Sequence, residues 1–521
     1  MDPRKHPSAF APATLVLLVV LAVFGAIIGL QLLVTLGVTP NTSIIGALIA
    51  MIVARIPLRM MASFRSVHVQ NLAQSNISAA TFGAANSLLL PIAVPFLMGR
   101  SDLVLPMFVG VGLGMLLDGF LLYRMFDTKV FPAEGAWPPG IAAAEAIKAG
   151  DSGGRQAQLL GAGMAVGAAG SWLGIPMSAF GTAFIGNIWA LAALGIGFLL
   201  RGYSLPLTGF DINKHYIPHG VMIGAGIVAL IQVARIVRSR SSDDSRQTRS
   251  VASVEHTFGF GAVCYLALAT LLAFAGGLWQ EMSPGMLVAF VVYTAFAAFV
   301  HELIVGIAAM HSGWFPAFAV ALITLLVGLL IGFPPVALTL LCGFSAATGP
   351  AFADMGYDLK AGYILRGNGA DVAFEMAGRR QQLFAAMIAF VLAIPVVFLA
   401  YRGYFAQGLV PPVAKVYVST IRAGVDPQVA KSLALWIIPG ALVQWLGGPR
   451  RQLGVMIATG LLIANPLAGW AVLAGILLRV ILLRVGPATM RGYTEVFAAG
   501  VIAGDAVFGF FNSVVRANIS K

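Results

Sequence analysis

Two aspartates, Asp354 and Asp358, stand four residues apart in the mostly apolar stretch Gly343 to Gly362, with Lys360 close behind. That spacing puts both carboxylates on one face of a helix. Inside a membrane, such a pair beside a lysine can accept an amine or relay a proton. The plainer alternative is a polar helix end at the membrane surface. The stretch Phe131 to Gly150 holds a second pair, Glu145 and Lys148, three residues apart and again on one face. Pro138 and Pro139 open this segment, a position where a missing N–H costs nothing. Gly150 can close it. The helix so bounded has about half of the ~20 residues a crossing needs, which predicts a re-entrant or broken helix. Its N-terminus would offer partial positive charge to an anionic group. Read plainly, it is an interfacial helix with a surface ion pair.

Amides gather upstream at Gln70, Asn71, Gln74, Asn76 and Asn86. They hydrogen-bond without the cost of a buried charge, either lining a solute cavity, with Asn71 and Gln74 as the candidates, or joining helices. Single acids enter apolar runs at Asp118, Glu302 (beside His301) and Asp505. Acids in such places serve as proton carriers or sit in structural ion pairs. His215 and His219 have the i, i+4 spacing of a metal pair, but Pro218 lies between them and no third ligand is in view. A surface loop cluster is the expectation there, with no bound metal and no cofactor.

The elements that must hold these groups are membrane helices. Apolar residues make up 59 % of the 521 and charged residues only 10 %, against roughly 25 % charged in soluble domains. Mean hydropathy is +0.90. Apolar runs recur from Pro12 to Leu36, through Asn41 to Met61, as far as Val496 to Val515. The first is too long for the core of a cleaved signal peptide and reads as a membrane helix. The 60 glycines let helices approach closely in lipid. Cys264 and Cys342 lie in apolar surroundings and point to neither a disulfide framework nor a metal cluster. The net charge of +12 is no nucleic-acid signature, because the basic residues collect in short loops, as membrane topology demands.

The expected fold is an all-α polytopic membrane protein of about 14–16 transmembrane helices, some re-entrant or broken. It divides into a first half, 1–237, a basic linker, 238–256, and a second half, 257–521. Arg238, Arg240, Arg246 and Arg249 place the linker in the cytoplasm, and Arg4, Lys5, Arg516 and Lys521 place both termini there. Each half then crosses an even number of times, and the halves are related in parallel. Two matches suggest duplication. Lys148 to Leu159 resembles Lys360 to Gly362 followed by Gly378 to Leu383. Gly197 to Arg201 resembles Gly475 to Arg479, and Gly220, Val221 and Gly224 resemble Gly500, Val501 and Gly504. Transporters are often built from such repeats, with the solute held between them.

Five stretches together resemble the oligopeptide transporter (OPT) family over most of the chain. They are QNLAQSNISAA at 70–80, FPAEGAWPPGIAAAEAIKAG at 131–150, YIPHGVMIGAGIVALIQ at 216–232, DMGYDLKAGYILRG at 354–367 and RGYTEVFAAGVIAGDAVFG at 491–509. The resemblance implies a proton-coupled importer of about sixteen helices in two related halves. It implies small peptides, modified peptides or metal complexes of peptide-like chelators as substrates. Gln70 and Asp505 stand where family members often carry Glu, and the Asn-Pro-Gly stretch of the eukaryotic peptide branch is absent. The chain is thus similar to a compact prokaryotic member, in the bacterial inner membrane.

The leading reading is a secondary transporter working by alternating access, not an enzyme. Its expected partners are a small-molecule solute, protons and the lipid bilayer. A homo-oligomer is compatible with the sequence, which does not set the number of copies. A membrane-embedded lipid-processing enzyme and a passive channel are the alternatives. Against the first, no HExxH motif or Asp-x-x-Asp metal cluster is present; the lack of a Walker A motif removes ATP as an obvious energy source.

Overall fold

The computed structural model describes residues 6–36, 64–238, 251–313, 316–424, 427–463, 465–486 and 490–519. The expected span at Asn41 to Met61 and most of the basic linker lie outside them. A chain this apolar must satisfy its backbone polar groups internally, and helices do so within one segment. In the first half the helices are α1 (Pro12–Leu36), α2 (Val67–Leu97, π-helical over Gly83–Leu89), α3 (Val104–Met125), α4 (Pro138–Ser152), α5 (Gly154–Trp172), α6 (Met177–Ile185), α7 (Ile188–Thr208) and α8 (Ile217–Arg238). The second half supplies α9 (Val251–Ala275), α10 (Pro284–Ser312), α11 (Ala317–Ile331), α12 (Pro335–Ala347), α13 (Pro350–Leu365) and α14 (Val372–Ala406). It continues with α15 (Pro412–Ala423), α16 (Pro427–Arg451), α17 (Leu453–Leu462), α18 (Pro466–Val485) and α19 (Met490–Ile519).

Ten helical spans among the described residues are long and apolar enough to cross a membrane, and three shorter apolar helices accompany them. The protein is a polytopic α-helical membrane protein. Several apolar runs fold as short pieces, among them Ala317–Ile331 and Leu453–Leu462. The outer surface agrees with a lipid solvent: Leu399, Leu446 and Val485 are 81 %, 79 % and 84 % exposed, which a water-facing surface rarely shows in such numbers.

The two halves interleave. One bundle packs α1–α3 with α9–α15 around a single apolar core, and the alanines of α4 cluster with α5, α6 and α19 and with Ala361 of α13. The other packs α5–α8 with α16–α19. In this second bundle, glycines permit backbone-to-backbone contact. Gly220 and Gly224 of α8 press on carbonyls of Leu433 and Ile437 in α16; Gly500 and Gly504 of α19 press on those of Leu160 and Met164 in α5. Gly197 of α7 meets Ile457 of α17, and Gly475 of α18 meets Phe180 of α6. Contacts made by α5–α8 thus recur with α16–α19 in exchanged roles, and the paired glycines are those matched in sequence between α7–α8 and α18–α19.

The relation is inverted rather than parallel. The counterparts α7 and α18 run antiparallel, with Gly202 against Pro466 and Gly195 against Gly469 and Leu473. Helix α8 descends toward the level where α7 starts, since Gln232 is tied through Gln444 to Gln452, and Asn187 bonds the carbonyl of Arg450 next to it. Helix α19 climbs away from that level, past Gly181 at Ile502 to Ser178 at Asp505. The C-terminal ends of α8 and α19 therefore lie at opposite ends of this bundle, while most of the linker and the last residues of the chain lie outside the described residues.

Helices α4 and α13, which carry the other proposed match, are neighbours, with Gly140 against Tyr357 and Lys360. A second likeness to α4 stands in the sequence before α16: Pro138, Pro139 and Ile147-Lys148-Ala149-Gly150 resemble Pro411, Pro412 and Ile421-Arg422-Ala423-Gly424.

Candidate functional site

Helix α13 is buried on all sides from Pro350 to Tyr363. It begins in the protein interior, where Thr348 and Gly349 break it from α12 and Gly349 takes φ 97°. Glycine adopts this left-handed backbone without the steric cost of a Cβ. Antiparallel to α13 lies α2, whose amide-bearing turns are buried throughout. The two polar stripes meet. Gln74 Nε2 donates to Asp358 Oδ1 at 2.6 Å, and Asn71 Nδ2 donates to Gln74 Oε1 at 2.9 Å. One turn along, the Ser78 hydroxyl donates to Asp354. Both aspartates are 0 % exposed, and the second oxygen of each accepts no hydrogen bond among the described residues. The helix spacing read from sequence does bring this pair to one face, against Asn71 and Gln74.

Lys360 takes another direction, its Nζ donating to the carbonyl of Ala133 at 2.8 Å. Glu145 and Lys148 form a 2.9 Å ion pair with each other on α4, their side chains 15 % and 40 % exposed. What α4 buries against α13 is its small-residue face, including Gly140 and Ala142.

Behind the acid pair lies a charged network that single-residue reading missed. Arg366 bonds Glu375 at 2.8 Å and Gln382 at 2.8 Å; Arg379 bonds Glu375 at 2.6 Å and Asp127 at 2.9 Å. Gln382 in turn donates to Ser75 and to the carbonyl of Asp358. Burial lowers the Arg366 pKa from the ordinary arginine value, and the adjoining Glu375 carboxylate opposes that shift. The i, i+4 spacing of Glu375 and Arg379 was the available signal. Here buried carboxylate and guanidinium compensate each other, a condition for burying charge at tolerable cost. Among the described residues Asp354 and Asp358 are in no ion pair with a cation, which makes them chemically different from Glu375.

A second acidic cluster caps the start of α13. Asp118 of α3 accepts from the Tyr265 hydroxyl at 2.6 Å and from the Gly349 backbone N–H at 3.0 Å. Glu302 of α10 is buried beside it and interacts with Asp118 and Tyr265. A carboxylate at a helix N-terminus is stabilised by the free N–H groups there. Asp118 and Glu302 therefore share one site, one and a half turns of α13 from Asp354. Asp505 does not join them. It accepts from the Ser178 backbone N–H at 2.7 Å and from the hydroxyls of Ser171 and Ser178, and so caps the short helix α6. Of the two histidines at the start of α8, His215 precedes the helix and stacks on Phe210 at 4.6 Å, and His219 in its first turn packs against Tyr216.

The arrangement offers two buried carboxylate clusters joined by one helix, at the contact of α2, α3, α10 and α13. It can hold and release protons or a small cation and can accept hydrogen bonds. A family model described as OPT oligopeptide transporter protein matches residues 11–237 and 176–516. No curated protein matches the chain.

Proposed function

The chain belongs to the OPT oligopeptide transporter family, and on that premise we propose that it is a proton-coupled secondary importer of small oligopeptides or peptide-like metal chelates. The observation that carries the coupling is the Asp354–Asp358 pair, fully buried, hydrogen-bonded by Ser78 and Gln74, and without a partner cation among the described residues. Two carboxylates left charged in such surroundings would repel each other and lack solvation. Taking up a proton or a cation relieves both, and releasing it on the other side completes a cycle. One charge moving across 100 mV supplies about 2.3 kcal/mol. Asn71, Gln74, Asp354 and Asp358 form the core of the proposed site, and Asp118 with Glu302 form a second proton position at the start of the same helix. Lys360 on the same helix, and Glu145 and Lys148 on the adjacent α4, complete the proposed set. Rocking of one half of the chain against the other around this shared site would expose it to each side in turn.

The test is uptake by reconstituted proteoliposomes under an imposed pH gradient, with di- to pentapeptides and ferric or nickel chelates as substrates. Accumulation against a gradient, abolished by an uncoupler, is the expected result. Equilibration without accumulation would mean a channel.

A further inference from the structure

Between the two bundles lies a partly open cavity of about 520 Å³, set apart from the acid pair. Its size falls in the range of small-molecule sites, about 300–1,000 Å³. Lys129 and Pro132 line it from the segment before α4, Met310 and His311 from the end of α10, and Arg450 and Gln452 from the α16–α17 turn. Among the described residues that line it are one lysine and one arginine and no acid.

The polar wall is held in place. Gln444 Nε2 bridges Gln232 at 2.8 Å and Gln452 at 2.7 Å, while Gln444 Oε1 caps α17 by accepting from the N–H groups of Gly454 and Val455. Asn187, at the tip of the α6–α7 hairpin, donates to the carbonyl of Arg450 at 2.9 Å. The opposite wall leads to the acids. The Met310 carbonyl accepts from Trp137 N–H at 2.8 Å. The indole of Trp137 lies on Gly356 and edge-on to Tyr357, at 6.0 Å between ring centroids. Tyr357 adjoins Asp358 on α13.

We propose that this cavity binds the transported solute by a carboxylate, with Arg450 and Lys129 as its cationic partners and the Met310–Trp137–Tyr357 contact linking occupancy to the acid pair. A guanidinium matches a carboxylate with two parallel hydrogen bonds, and a wall of fixed amides and apolar side chains suits a short peptide backbone. The proposal rests on the transporter reading. Peptide C-termini and carboxylate chelates share this chemistry.

The experiment places a single cysteine at Met310→Cys in a Cys264→Ala/Cys342→Ala background, in detergent solution where both faces are open. Labelling by an anionic and a cationic methanethiosulfonate is measured, each rate normalised to that with free cysteine. The anionic reagent should react at least ten-fold faster, and Arg450→Gln or Lys129→Gln should reduce the ratio several-fold. Trialanine should slow labelling, while trialanine amide at the same concentration should not. Protection by ferric citrate alone would support the carboxylate site and assign it to chelates. No anionic preference, a ratio unmoved by both substitutions, equal protection by the amide, or protection by none of the three solutes would overturn the proposal. Because labelling requires no gradient, failure of proton-driven uptake would leave these outcomes readable and would strike only the coupling.

Discussion

Gln74 donates a 2.6 Å hydrogen bond to Asp358 across 284 residues of sequence, joining the amide stripe of α2 to the acid stripe of α13. The amide satisfies one carboxylate oxygen without neutralising the group. An arginine in that place would have fixed the charge permanently, as Arg366 and Arg379 do for Glu375. The side chain opposite each buried acid therefore separates a charge free to change from one locked in a structural pair.

Asp505 should behave as a cap and not as a proton carrier. Its oxygens already receive the Ser178 N–H and two hydroxyls. Asp505→Asn retains an acceptor for that N–H and should leave uptake and its pH profile within two-fold of wild type. Asp505→Ala should cost about 1 kcal/mol of stability, the usual loss for an N-cap. A shifted pH profile in the Asn variant, with thermal stability unchanged, would show that Asp505 takes part in coupling.

Close glycine packing should dominate the stability of the second bundle. A Cβ at Gly224 would run into the Ile437 carbonyl, a backbone atom that cannot move aside alone. Gly161, on α5 of the same bundle, has open space where its Cβ would stand. Gly224→Val should lower the melting temperature by several degrees or prevent folding, as overpacking typically costs 1–3 kcal/mol or more. Gly161→Ala should be neutral or stabilising by up to about 1 kcal/mol. Scanning fluorimetry in detergent compares the two, and equal effects would remove the packing argument.

His6, ahead of α1, lies against His68 and Phe374 with ring centroids 5.2 and 5.4 Å away. Burial lowers its pKa from 6.5 to about 4. Between those values the unfolded chain binds the proton and the folded chain does not, so stability rises with pH across this window. The contribution is complete above pH 6.5 and is lost as pH falls toward 4, with an upper bound of about 3 kcal/mol. His6→Gln should flatten the dependence of melting temperature on pH between 4 and 6.5. An unchanged slope would show that His6 is not the group responsible.

Hydropathy made the solvent and the helical class legible, because lipid imposes both on every residue of a span. The i, i+4 spacing made the face shared by Asp354 and Asp358 legible, because it is local. Contacts between distant helices were not readable in that way. Nothing near Lys360 announces that it turns to Ala133, and nothing near Asp118 announces Gly349 as its partner. Sequence likeness alone did not reveal the inverted sense of the repeated helices. Gly220 and Gly500 match as letters whichever way their helices run, and the direction emerges only where Gly202 meets Pro466. Ala-Gly follows Lys148, Lys360 and Arg422 alike, so the letters alone do not choose between the two matches.

The most direct test of coupling through the acid pair compares wild type with Asp358→Asn in proteoliposomes loaded with a transported substrate. Gradient-driven accumulation and gradient-free counterflow exchange are measured on the same preparation. Coupling through Asp358 predicts that the variant loses accumulation at least ten-fold while exchange stays within a few-fold of wild type. Undiminished accumulation by the variant would contradict it.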